Sequence, residues 1–209
     1  MLSRDPNYSE ITEGLGETYE ILLNAYKPFA CGIVIHPTID GCIQLRNEHE
    51  LTADQIEGIE LQVHPLVLQL TGKKTPQTGL EGKFSVYHAA AAAIIDGGGG
   101  VQQFSDQAVR NPVTVSLRDR VATVVDPDIH EDQARITITL NDGRRLEKFI
   151  EHAIGSVENP MTDADLEAKF IGLADGVLPS TQVRQLLDLC WNIETLPSAS
   201  LIAESATRT

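Results

Sequence analysis

Apolar residues Ile35, Ile39, Cys42 and Ile43 recur at helical spacing around the triplet His36-Pro37-Thr38. That pattern predicts a helix starting at the triplet, because proline is tolerated at a first helical position. Just before it, residues 29–35 form an apolar run that reads as a buried strand. Ile59, Leu61 and Val63 alternate with polar neighbours, the period of a half-buried strand. Pro65 cannot donate to a ladder, so that strand must end there or lie at an edge. Ser85 is placed to cap a helix containing five consecutive alanines (89–93), and Gly97 stops it. The stretch "ARITITLNDGRRLEKFI" reads as a hairpin, with Ile136, Ile138 and Leu140 alternating before the turn Asn141-Asp142-Gly143. "VATVVDPD", ended by Pro127, is the expected partner strand. A capping Thr162-Asp163 opens a helical run, and Val183, Leu186, Leu187 and Cys190 trace the apolar stripe of another helix. Residues 1–16 read as a polar tail and Glu17 to Ala25 as a short helix or turn. Mixed α and β thus give way to helix alone near residue 156, and the predicted class is α+β.

Length and charge narrow the functions open to such a fold. A chain of 209 residues can bury one ordinary core with an appendage. Thirty acidic against 16 basic residues leave a net charge of −14, a poor match to nucleic acid or an anionic membrane surface. No apolar run approaches the roughly 20 residues of a spanning helix. "MLSRDPNYSE" carries no signal-peptide apolar region. Cys31, Cys42 and Cys190 have no metal or redox spacing, and their odd number favours a reducing, cytoplasmic compartment.

Candidate chemistry concentrates in two segments. "NAYKPFACGIVIHPTIDG" (24–41) places Lys27 and His36 at the ends of the apolar run. Lys27 is either a surface lysine at an element boundary or a point charge for a substrate carboxylate. His36 is either a capping or core histidine, kept neutral by burial, or a proton-transfer group. In "GKFSVYH", Tyr87 is either core or a hydrogen-bond donor. Lys83, at the opening of the alanine-rich helix, is unfavourable to the helix dipole and implies solvent or an anion nearby. Cys31 reads as a small buried hydrophobe. The four glycines 97–100 lack the G-x-G-x-x-G or GK[ST] context of a phosphate cradle and read as a loop. His64, His88, His130 and His152 show no ligand spacing, so no metal is expected.

"AYKPFACGIVIHPTIDG" and "TGLEGKFSVYHAAAAAIIDG", with "GLGE" at 14–17 and "MTDADLEAKF" late in the chain, together resemble the C-terminal part of the MmgE/PrpD family. That family includes 2-methylcitrate dehydratases and cis-aconitate decarboxylase. The resemblance implies a tail or linker remnant over 1–19 and an α+β lid domain over 20–155. Helices over 156–207 would belong to a larger all-α domain whose acid/base residues lie outside this chain. It implies a cofactor-independent lyase acting on a di- or tricarboxylic acid. Lys27 and Lys83 would bind substrate, and Tyr87 and His36 would act in catalysis. A carboxylate epimerase or a non-catalytic fragment are the alternatives. Helices cut from the domain they pack on would leave an apolar face uncovered, so a homo-oligomer (a dimer) or a separate N-terminal helical chain is expected.

Overall fold

The computed structural model describes residues 7–207. Four strands form one mixed sheet in the order β2-β1-β3-β4, with β1 Ile56–Val63, β2 Val121–Val125, β3 Ala134–Leu140 and β4 Arg145–Ile150. β1 pairs parallel to β2 and antiparallel to β3, and β3 pairs antiparallel to β4. The alternation on β1 is as expected, with Ile56, Ile59, Leu61 and Val63 all buried. One face of the sheet carries α1 (His36–His49) and α4 (Val86–Asp96), which pack on each other and share its core. The other face carries polar cross-strand neighbours such as Glu60, Thr137 and Glu147.

Between β1 and β2 run α2 (Pro65–Thr71), α3 (Gly79–Gly82), α4, α5 (Asp106–Arg110) and α6 (Pro112–Arg118). A parallel pair needs such a crossover, since a tight turn cannot return the chain in the same direction. Ser85 caps α4 by accepting from the His88 N–H at 3.1 Å, and Gly97 ends it in the left-handed region at φ 67°. The close approach of α1 to β3 depends on Gly41, where a Cβ would meet Ile136 Cδ1 at 2.4 Å.

Two expectations are corrected. Residues 29–35 are not a strand: they form a loop and a short 3-10 turn, Ile33–Ile35, leading into α1. The apolar character reflects burial of Phe29, Cys31, Val34 and Ile35, and a short apolar run alone does not distinguish strand from buried loop. The β3–β4 hairpin forms as expected, its Asn141-Asp142-Gly143 turn closing through the Leu140 N–H on the Arg144 carbonyl at 2.9 Å, but the "VATVVDPD" segment does not pair with it: β2 pairs with β1 instead. β1 ends before Pro65 as expected: it lies inside the sheet, and Pro65 opens α2, which His64 caps through its Nδ1.

After the sheet come α7 (Asp163–Ala174), α8 (Ser180–Trp191) and α9 (Ser200–Ser205). Thr162 and Asp165 form the reciprocal cap expected at the start of α7. In these helices only Val183 and Leu186 are buried, while Leu173 and Trp191, and Ile193 in the 3-10 turn after α8, are exposed. An apolar cleft of about 260 Å³ lies between Leu166 and Phe170 of α7 and Leu187 and Trp191 of α8.

Candidate active site

The segment carrying Lys27 is fixed by backbone rather than by a strand ladder. The Ala30 N–H donates to the Gly99 carbonyl at 2.8 Å, and the Gly32 N–H to the Lys83 carbonyl at 3.1 Å. Phe29 is buried, its ring edge-on to His36 at 5.3 Å. Gly155, at φ 86°, sits so close beneath the segment that a Cβ would lie 2.3 Å from the Tyr26 carbonyl and 2.6 Å from Pro28 Cδ. That neighbourhood is tied to α1 by Asp40, whose carboxylate accepts from the Ile154 N–H at 2.8 Å and from Gln44 at 2.9 Å. From α7, the Lys169 ammonium donates to the Lys27 carbonyl.

Two clefts meet at Lys27. The larger, about 530 Å³, is lined by Lys27, Lys83 and Lys169 together with Phe29, Leu80 and Phe84, and no acidic side chain lines it. Neither Lys27 nor Lys83 has an ion-pair partner among the described residues, unlike Lys73 and Lys148, which pair with Glu81 and Glu48. The smaller cleft, about 280 Å³, is lined by Lys27, His36, His152 and residues 153–157, and two acids, Asp132 and Glu158, also line it.

Electrostatics follow from this placement. His36 is only 4% exposed, and burial, then the Lys27 charge, lower its pKa to about 4. Lys169 depresses it further, while a backbone hydrogen bond at Cys31 acts the other way. The imidazole is therefore neutral at pH 7, with Nε2 buried and without a hydrogen-bond partner. Burial pushes the Cys31 thiol up to about 12 despite Lys27 and Lys83 nearby, so it is an inert packing group as its sequence context suggests.

Lys27, His36 and Lys83 are thus brought together, with Lys27 shared by both clefts. Lys83 does not open the alanine-rich helix. It is the C-cap of α3, two residues before the α4 cap at Ser85. Tyr87 stands apart: it lines neither cleft, and its hydroxyl lies 3.1 Å from the Thr123 hydroxyl on β2. Among the described residues no cluster of His, Cys, Asp and Glu could hold a metal ion. No helix among them is long and apolar enough to cross a membrane.

The profile of the MmgE/PrpD C-terminal domain matches residues 29–193, which include Lys83, Lys169 and every strand, while Lys27 lies two residues before the match. The chain belongs to the MmgE/PrpD family. Curated relatives of the chain include the cis-aconitate decarboxylase of Aspergillus terreus, 22% identical over 96% of this chain and 44% of that protein. A cis-aconitate decarboxylase-like protein of Aspergillus oryzae is 25% identical over 94% of this chain and 44% of its own length. The cis-aconitate decarboxylase of Homo sapiens is 26% identical over 85% of this chain and 38% of its own length. The chain therefore spans less than half the length of the relatives it matches.

Lys169 is the cleft residue that sequence reasoning missed. It is the only lysine after Lys148, standing alone in the acidic stretch "MTDADLEAKF". A lone cation there was the available signal, but nothing in the sequence joins it to Lys27.

Proposed function

We propose that this chain supplies the lid and the carboxylate-binding wall of a lyase acting on a di- or tricarboxylic acid, by decarboxylation or dehydration without a cofactor. The observation that carries the reading is the acid-free cleft with Lys27 and Lys83 in a chain of net charge −14. Ammonium groups free of carboxylate partners are suited to hold substrate carboxylates. A cation beside a forming carbanion lowers the barrier to breaking a C–H or C–COO⁻ bond at the neighbouring carbon. In dehydration the carbon proton leaves to a base and hydroxide departs with an added proton. In decarboxylation carbon dioxide departs and the carbanion takes up a proton. Neutral His36, with its unpartnered Nε2, is a candidate to accept or relay such a proton. Tyr87 would reach substrate only if its hydroxyl turned from Thr123 toward a group brought by another part of the enzyme.

The low identity to cis-aconitate decarboxylases makes cis-aconitate the first substrate to try and 2-methylcitrate the second. The apolar cleft between α7 and α8 supports a partner: a helical chain or a second copy covering Phe170, Leu187 and Trp191. The test is turnover by the chain alone and after mixing with the helical part of a relative. Activity that appears only on mixing supports the reading. In that assembly Lys27→Ala is expected to cost about 2–4 kcal/mol of transition-state stabilisation, read from kcat/KM. Near-normal activity of Lys27→Ala would remove Lys27 from the site. Solvent-deuterium uptake with no loss of water or carbon dioxide would instead indicate an epimerase.

A further inference from the structure

We infer that Lys169 of α7 is a third anion-binding cation of the Lys27 cleft, so that a polycarboxylate held there clamps the C-terminal helices to the sheet-bearing body. The inference rests on the carboxylate-binding reading above and adds a residue and a consequence to it. Lys169 lines the same acid-free cleft as Lys27 and Lys83, although it arrives on a different element, 142 residues after Lys27. Its one observed bond is to the Lys27 carbonyl, and an ammonium carries three donors, so capacity remains for an anion. No acid pairs with Lys169: Glu167, two residues before it, accepts from Trp191 Nε1, Asp165 accepts from the Thr162 hydroxyl and N–H at the helix cap, and Asp40, which lines a neighbouring cleft with Asp165 and Lys169, accepts from Gln44 and the Ile154 N–H. The charge is felt in the site, since Lys27 and Lys169 both act on His36.

Three ammonium groups with no carboxylate among them repel one another, and the arrangement is relieved when a polyanion enters. A bound polyanion would then bridge two elements: Lys27 and Lys83 on the body, Lys169 on α7. No residue of α7 is buried, and its approach to the body is made by small residues such as Ala168 and Gly172 over Pro28 and Ala30. A helix so lightly held has much to gain from one shared ligand. By linkage, whatever binds the docked arrangement more tightly favours docking.

The experiment adds citrate to the 209-residue chain and reads two signals. Lysine side-chain NMR reports on the cleft, and amide hydrogen exchange reports on α7. Citrate is expected to shift the Lys27 and Lys83 resonances and to slow exchange across residues 163–174. Lys169→Gln keeps a donor for the Lys27 carbonyl but loses the charge. It should bind citrate about three- to tenfold more weakly, the range for one charge-assisted contact at a partly exposed site, and lose the slowing in α7. Lys169→Arg should restore both. Citrate that moves Lys27 and Lys83 while leaving α7 exchange unchanged would overturn the inference alone, as would a Lys169→Gln variant equal to the wild type. If Lys169→Gln loosens α7 even without citrate, the comparison of affinities decides, and equal affinity in the Gln and Arg variants overturns the role of the charge. Citrate that leaves Lys27 and Lys83 unmoved overturns the carboxylate-binding reading itself.

Discussion

The sheet with α1 and α4 and the helices α7 to α9 obey the same local rules but are finished to different degrees. In the first region the sheet strands and both helices enclose fully buried Ile35, Ile39, Leu61, Ala91 and Ile138. In the second, α7 buries nothing and α8 buries only two side chains, while Trp191 remains 51% exposed. Both regions have well-formed caps: Ser85 on α4, and the Thr162–Asp165 pair on α7. Good capping sets where a helix starts, but it does not supply the burial that holds a helix in place. The C-terminal helices are locally complete and globally uncovered, as a surface awaiting a partner would be.

The largest expected effect tests that contrast through packing. Ile138→Ala should destabilise the chain by about 2–5 kcal/mol, through lost burial and the cavity left among β1, β3 and α1. Phe170→Ser, at the cleft between α7 and α8, should change chemical unfolding by less than about 1 kcal/mol, while reducing self-association seen by sedimentation. Equal losses for the two substitutions would erase the distinction between the regions.

A pH experiment comes next in size. His36 has a folded pKa of about 4 against an ordinary 6.5, so between those values the unfolded chain binds the extra proton. Its contribution is therefore complete above pH 6.5 and is lost as pH falls toward 4, by up to about 3 kcal/mol. In His36→Gln that part of the decline in unfolding free energy should vanish. An unchanged slope in the variant would show that His36 is not held neutral by its surroundings.

A smaller effect than that at Ile138 should come at the seat of Lys27. Gly155→Ala introduces a side chain at φ 86° against the Tyr26 carbonyl and Pro28, at a cost of about 1–3 kcal/mol. Because the displaced atoms flank Lys27, citrate binding should weaken along with stability. Gly143→Ala is a useful comparison, because its φ is 87° and nothing lies near its Cβ position. It should cost less stability, the backbone strain alone without the clash, and leave citrate binding intact.

What could be read from the sequence divides along the same line of local against distant. The start of α1, the Ser85 cap, the Gly97 stop, the Thr162 cap and the β3–β4 turn rest on residues within a few positions of each other, and all were legible. The loop nature of 29–35 was not, because its backbone partners are the carbonyls of Gly99 and Lys83, far along the chain. The parallel pairing of β1 with β2 was likewise hidden, since a crossover through five helices separates them. In the candidate site, the types of Lys27 and His36 suggested chemistry. The meeting of Lys27 with Lys169, and the separation of Tyr87 from both clefts, were decided by packing.

The strand order also sets a timetable for synthesis. β1 is the inner strand between β2 and β3, yet β3 ends 77 residues after Val63. At ribosomal speeds of about 5–20 residues per second, β1 emerges roughly 4–15 s before its antiparallel neighbour is complete. During that interval Ile59, Leu61 and Val63 lack the strand that will pair with them, at Ile138, Ile136 and Ala134. A chaperone acting on the nascent chain would meet this unpaired strand well before α7 brings Lys169 within reach of Lys27.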